Sequence, residues 1–317
     1  MNSIYKTKNI DKAISDPVVQ NEARRYSIRT RLAFLPDENI GQSWFFRFLT
    51  LVYYYPFVYF NGFEIEGIEK IDPNEGYLFI ARHSTHNADI LGTIVCIYHM
   101  TGRVFRSLMH RSLKLFFPAL RFMGAVPGEQ KSALSLLKSG FWVGVMPGGA
   151  DEGMIGHENA YKVYWPKKRK GFAQIAINAE VPIVPLFVSN VEEMRWNPIL
   201  CIWNLLGLGR LFSYILKLDI PYVSPIILLV ATMAWFTATF IQIPIPAKIT
   251  LHVGDPVQYD MSKDSVDDVV ERARTSLQSL INRHQPYGKS YSNAVKERFQ
   301  CLIKHWKQRS SEAKCYS

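Results

Sequence analysis

The chain has little that would staple or export it. Four cysteines, Cys96, Cys201, Cys301 and Cys315, stand apart without CxxC spacing, which argues against a disulfide framework or a zinc knuckle and fits reducing surroundings. The amino-terminal stretch MNSIYKTKNIDKAISD is polar and mixed in charge, so no cleavable signal peptide is expected. There is no internal repeat and no low-complexity tract. Acidic residues are in deficit: 27 Asp and Glu face 37 Lys and Arg, for a formal charge of +10. Such a field draws phosphates, nucleotides or acidic membrane surfaces and does not choose among them. Apolar residues are plentiful, at 48% of 317, enough for the core of one large domain or two small ones.

Two apolar blocks stand out. WFFRFLTLVYYYPFVYF (44–60) contains Arg47 and Pro56 and is at the short end of what crosses a bilayer, so a broken, half-inserted helix is expected. SPIILLVATMAWFTATFIQIPIP (224–246) belongs to an uncharged run from Ile220 to Ala247, follows the nearly as apolar 197–218, and is bracketed by Pro221, Pro225, Pro244 and Pro246. A buried hairpin is one reading; membrane contact is the preferred one, because so much Trp, Phe and Leu suits the bilayer interface.

Elsewhere the pattern alternates as in a βαβ protein. GYLFIA, RVFRSLM, FWVGVM, VPIVPLFV and AKITLHVG read as strands. ADILGTIVCIYHM, LKLFFPALRFMG, EQKSALSLLKSG, RKGFAQIAINAE and SVDDVVERARTSLQSLINRHQ read as helices. The expected fold is α/β, an open, mostly parallel sheet flanked by helices, with apolar membrane-associated segments. Residues 1–41 read as an amino-terminal extension and 42–62 as a membrane-associated segment. Residues 63–284 form the main domain with an apolar insertion at 197–246, and 285–317 read as a basic, partly ordered tail.

Ligands of such sheets gather at the carboxyl ends of the strands, where two constellations fall. ARHSTHNADI places His83 at a strand end and Asp89 in the first turn of the next helix, with Asn87 as N-cap. An Asp ionised by that helix end can fix the tautomer of a nearby imidazole, leaving the other ring nitrogen to take a proton from a hydroxyl. The rival reading is a metal site of His83, His86 and Asp89, with His157 or His252 as further ligands. VMPGGADEG (145–153) offers glycine N–H groups able to hold an oxyanion or phosphate. The basic cluster Lys162, Lys167, Lys168, Arg169 and Lys170 then leads into a helix N-terminus, a second anion site, or else forms a solvated charged face.

FMGAVPGEQ, LLKSGFWVGVMPGGADEG, RKGFAQIAINAEVPIVPLFVSN and IPIPAKITLHVGDPV together resemble the glycerolipid acyltransferase superfamily over about residues 42–284, and within it the monoacylglycerol and diacylglycerol acyltransferase-like branch. The resemblance implies catalysis by His83 and Asp89. It implies substrate binding by Gly124 and Pro127, by Pro147, Gly148, Gly149 and Glu152, and by Arg169, Lys170 and Gly171. Asp151 departs from the family pattern, which commonly has a basic or polar residue there; this weakens a grip on an acceptor phosphate. The implied reaction is transfer of an acyl group from acyl-CoA to a lipid hydroxyl, with no metal and no cofactor. The implied partners are acyl-CoA, a lipid acceptor and the bilayer, not nucleic acid. The implied location is the endoplasmic reticulum membrane, with lipid droplets as a second site. The expected acceptor is a neutral glycerolipid, a mono- or diacylglycerol, or a similar lipid alcohol. The alternatives are a lysophosphatidate acyltransferase, a metal-dependent lipid ester hydrolase and a non-catalytic lipid-binding relative.

Overall fold

A computed structural model describes residues 35–84, 88–109, 117–149, 152, 159–166, 169–208, 214, 226, 242–260 and 263–315. Nine strands are present among them: β1 (Glu64–Glu66), β2 (Tyr77–Ala81), β3 (Arg106–Met109), β4 (Val126–Pro127), β5 (Trp142–Val145), β6 (Ile183–Ser189), β7 (Arg195–Trp196), β8 (Ile243–Pro244) and β9 (Thr250–Val253). Seven of them form one sheet in the order β1-β9-β6-β2-β5-β3-β4. Every neighbouring pair is parallel except β6 with β9. The helices are α1 (Asp37–Gly41), α2 (Trp44–Leu49), α3 (Ala88–Thr101), α4 (Phe117–Leu120), α5 (Gln130–Lys138), α6 (Gly171–Ala179), α7 (Pro198–Leu205), α8 (Val266–His284) and α9 (Tyr291–Cys315).

The central strands read as unbroken apolar runs because both faces of a parallel sheet are covered: in β2, Tyr77, Leu78, Phe79 and Ile80 are all buried. Beside them Trp142 of β5 packs its ring 5.4 Å from Phe79 and 5.6 Å from Phe105. Helix α8 buries Val269, Ala273, Leu277, Leu280 and Ile281 along one stripe and starts at a capping box, with Ser265 and Asp268 each accepting the other's backbone N–H.

The flanking segments carry ordered structure. Within the amino-terminal extension, residues 37–41 are anchored: Ile40 is fully buried, and the Asp37 carboxylate is bonded by the buried Arg106 guanidinium. The basic tail is largely the 25-residue helix α9. Its periodic signal is weak because its anchors are one small residue and one charged one, the buried Ala294 and Arg298. Arg298 donates to the carbonyls of Phe60 (2.8 Å) and Tyr59 (2.6 Å), satisfying acceptors that a helix end leaves without partners. The segment 42–62 is helical throughout most of its length. It widens into π-helical turns at Thr50–Tyr54 and Pro56–Phe60, around a proline that has no N–H to give. It buries Phe46, Leu49 and Phe57 and leaves Trp44, Phe48, Leu51, Tyr55 and Tyr59 exposed. Among the described residues no helix is long and apolar enough to cross a membrane. Most of 197–246 lies outside the described residues, but its two ends are joined by antiparallel pairing of β7 with β8.

Leu78→Ala, in the fully covered strand, should cost about 2–5 kcal/mol of stability, whereas Ser265→Ala, removing one cap, should cost about 1 kcal/mol. Denaturant midpoints of the two variants check the ranking.

Candidate active site

Strands β2 and β5 are hydrogen-bonded neighbours, with Ile80 opposite Val145. The segments leaving their carboxyl ends therefore emerge on the same sheet edge: His83 after β2, and Pro147, Gly148 and Gly149 after β5. The fully buried Glu152 ties the two together. One carboxylate oxygen accepts the backbone N–H of His83 at 2.8 Å, and the other accepts that of Tyr164 at 2.8 Å. The glycines make room for charged groups. A Cβ on Gly148 would lie 2.4 Å from the Glu152 side chain, and one on Gly149 would lie 2.0 Å from Arg169. Gly149 also has φ +54°, a left-handed conformation that glycine adopts without penalty. Arg169 Nη1 donates to the carbonyls of Gly148 (2.8 Å) and Pro147 (3.4 Å).

His83 is half-buried, and its Nδ1 lies 2.8 Å from the carbonyl oxygen of Ser84. A carbonyl only accepts, so Nδ1 carries the proton and Nε2 keeps a lone pair. Burial, aided by the Arg82 charge, holds the imidazole below its ordinary value, against the Ser84 bond and Glu192. His83 is thus a neutral base with a defined tautomer. Burial pushes the Glu152 carboxyl up to about 7, opposed by the N–H groups of His83 and Tyr164 and the charges of Arg82 and Arg169.

A buried network beneath His83 had no counterpart in the sequence expectations. Arg82 pairs with Glu192 at 2.7 Å, their side chains 3% and 0% exposed. The guanidinium also donates to the Lys162 carbonyl (3.3 Å) and lies over the Tyr161 ring. The Tyr161 hydroxyl donates to Glu193 and accepts from the Glu192 backbone at 3.2 Å. Its sequence signal was the adjacent pair Glu192 and Glu193 directly after a buried strand.

The other expected site residues are dispersed. Gly124 ends the turn Arg121–Met123 with φ +81°, and a Cβ there would lie 2.5 Å from the Phe105 carbonyl. Pro127 ends β4 opposite Met109, with β3 and β5 between it and β2. Lys170 faces Asp267 of α8 at 2.5 Å, and Gly171 opens α6. The expected anion-facing cluster is therefore divided: Arg169 holds loop carbonyls and Lys170 holds α8, because neighbouring residues at a helix start point in different directions. Asp89 is in the first turn of α3, but its side chain, like Thr85, His86, Asn87, Asp151, His157, Lys167 and Lys168, lies outside the described residues. The His83–Asp89 pairing and the ligand set with His86 lie there too.

The site is a mostly parallel α/β sheet edge at which a buried carboxylate pins the His83 main chain beside a glycine turn. Residues 62–189 match the acyltransferase family model. A Homo sapiens protein described as "DGAT1/2-independent enzyme synthesizing storage lipids" is 30% identical over 243 residues, covering 75% of this chain and 67% of that protein. The Bos taurus protein of the same description is 31% identical over 244 residues, covering 75% of this chain. This chain spans only 65% of that protein's length. The solved structure of the 1-acyl-sn-glycerophosphate (LPA) acyltransferase PlsC from Thermotoga maritima aligns with 83% of this chain and 81% of that one, at 18% identity and a TM-score of 0.43. The chain belongs to the acyltransferase family.

A carboxyl whose folded pKa is raised keeps its proton when the unfolded chain has lost it, so its contribution to stability is full below about 4.5 and is lost as pH rises to about 7. His83, with its pKa lowered, acts in the opposite sense, so the comparison must be with Glu152→Gln. The stability advantage of wild type over that variant should shrink by up to roughly 3 kcal/mol between about pH 5 and 7.5. A constant difference in denaturant unfolding would return Glu152 to the ordinary carboxylate range.

Proposed function

We propose that the chain is a membrane-bound, acyl-CoA-dependent O-acyltransferase whose acceptor is the hydroxyl of a mono- or diacylglycerol. One observation carries the reading: a half-buried, neutral His83 with Nδ1 bonded to the Ser84 carbonyl and Nε2 left as an acceptor. The description of the relatives as synthesizing storage lipids favours a neutral acceptor. The exposed Trp44, Phe48, Leu51, Tyr55 and Tyr59 suit the interfacial region of a bilayer. The membrane is that of the endoplasmic reticulum, with lipid droplets as the alternative site.

Nε2 of His83 takes the proton of the acceptor hydroxyl as its oxygen attacks the thioester carbonyl carbon. The tetrahedral intermediate collapses with cleavage of the C–S bond, and the imidazolium returns its proton to the departing coenzyme A thiolate. Asp89 has the role of stabilising that imidazolium. Glu152 is a positioning residue, since it holds the His83 main chain. Of the two glycine N–H groups expected to face the oxyanion, that of Gly149 is already donated to the Met146 carbonyl at 3.0 Å. Gly148 is left as the oxyanion donor of the pair. Arg169, engaged with the Pro147 and Gly148 carbonyls, acts on this loop in addition to any contact with coenzyme A phosphates.

His83→Ala should lower kcat/KM by roughly 10²–10⁴ in a membrane assay with labelled acyl-CoA offered monoacylglycerol, diacylglycerol and lysophosphatidate in parallel. Transfer only to lysophosphatidate would move the chain to phospholipid synthesis, and ester cleavage abolished by EDTA would replace transfer with metal-dependent hydrolysis. Because protonation removes the Nε2 lone pair, the acid limb of kcat/KM should lie below the ordinary histidine value. Arg169→Ala should lower kcat as well as raise the KM for acyl-CoA; an effect on KM alone would confine Arg169 to donor binding.

A further inference from the structure

We propose that Glu66, His252 and His284 form a binding site for a zinc-type divalent ion, on the far side of β6 from His83. The three residues come from separate elements. Strands β1 and β9 are parallel, with Glu66 in register with His252, so the two side chains stand together on one face of the sheet. His284 is the last residue of α8, and its ring stacks on that of His252 at 3.7 Å and 21°. One donor atom from each residue lies within 4.8 Å of the other two. All three line an open cleft of about 650 Å³, which supplies an entry path.

Hydrogen bonding around His252 shows what the site lacks. The Ser189 hydroxyl donates to the Thr250 carbonyl at 3.3 Å, so its oxygen is left to accept from His252 Nε2, also at 3.3 Å. Nε2 therefore carries the ring proton, and Nδ1 presents a bare lone pair. Nδ1 is buried and has no hydrogen-bond partner, in a side chain only 8% exposed. It nevertheless lies 3.0 Å from a carboxylate oxygen of Glu66. Two acceptors face each other at that distance, an arrangement that a cation between them stabilises.

Two imidazoles and one carboxylate, with a fourth position open to water, are a donor set that suits zinc better than magnesium or calcium. The Ser189 contact is the outer partner that a ligating histidine normally has on its second nitrogen. With bonds of about 2.0–2.2 Å, tetrahedral donors sit about 3.3–3.6 Å apart. Glu66 and His252 already approach that spacing. Stacked rings point their lone pairs side by side, so loading requires the partly buried His284 ring to swing toward the open cleft. The bound ion would join the short edge strand β1, strand β9 and the end of α8.

The test uses the full chain, stripped with a chelator and titrated with zinc chloride, reading bound metal per chain by elemental mass spectrometry together with the thermal midpoint. One zinc per chain is expected, with a midpoint that rises by several degrees as zinc saturates and no comparable rise with magnesium. Glu66→Gln and His284→Asn should each lose at least tenfold in zinc affinity while their stripped forms unfold within a few degrees of wild type. Should a variant fail to fold, the other alone decides the matter. Cys301→Ser should bind as wild type does. No saturable zinc, binding unchanged in both site variants, or binding lost in Cys301→Ser, which would move the ion to Glu64, Cys301 and His305, would each overturn the proposal.

Discussion

The Glu152 carboxylate is the joint on which this edge of the sheet depends. Buried completely, it accepts one backbone N–H from the strand that delivers His83 and another from the segment at Tyr164. Neither donor is close to it in the chain, so one side chain holds together three stretches that the sheet alone brings only near each other. Charge-assisted bonds to backbone N–H groups are stronger than neutral ones. Burial nevertheless pushes the group toward its protonated form, so the joint sits near the balance between the two states around neutral pH. Gly148 and Gly149 are a consequence of this placement: a side chain at either would collide with Glu152 or with Arg169.

Beneath that joint, the Arg82–Glu192 pair fixes the end of β2 from the other side. A buried ion pair is weak evidence for net stability, but removing one partner strands a charge in the core at a cost of about 3–5 kcal/mol. Arg82 shares its guanidinium among a carboxylate, a carbonyl and the Tyr161 ring, so its desolvated charge is compensated on several sides. The chain therefore leaves β2 with little freedom just where His83 begins. The imidazole is thus held through its main chain, with its tautomer set by the adjacent Ser84 carbonyl.

Helix α9 and the aromatic segment 44–60 show a second use of charged anchors. Arg298 joins them through the carbonyls of Tyr59 and Phe60, which leaves the apolar side chains of the segment outside the core. The exposed Trp44, Leu51 and Tyr59 are thus not packing failures. Among the described residues they form an apolar face that the core does not cover.

How much of this could be read beforehand differs by element. The central strands were legible because a strand buried on both faces must be apolar throughout, as in YLFI of β2. Helix α8 was legible because its buried face repeats every three or four residues and its start is capped. Strand β1, three residues reading EIE, was illegible, since its place comes from pairing with β9 and not from apolar content. The same holds for α9, anchored by Ala294 and Arg298. His83 and Glu152 were visible as candidates because each comes after a recognisable strand, but their mutual bond spans 69 residues and that of Arg82 with Glu192 spans 110. His252 had been a candidate further metal ligand beside His83, His86 and Asp89; among the described residues it meets Glu66 and His284. Local pattern, periodicity and turn chemistry by themselves determined most of the strand and helix sequence and which segments leave the carboxyl ends of β2 and β5, because those signals act over a few residues. Which charges are buried together, which tautomer His83 holds and which carboxylate pins it were decided only by the tertiary structure. Those choices depend on groups distant in the chain meeting in a low-dielectric interior, where an unpaired partner is too costly to leave.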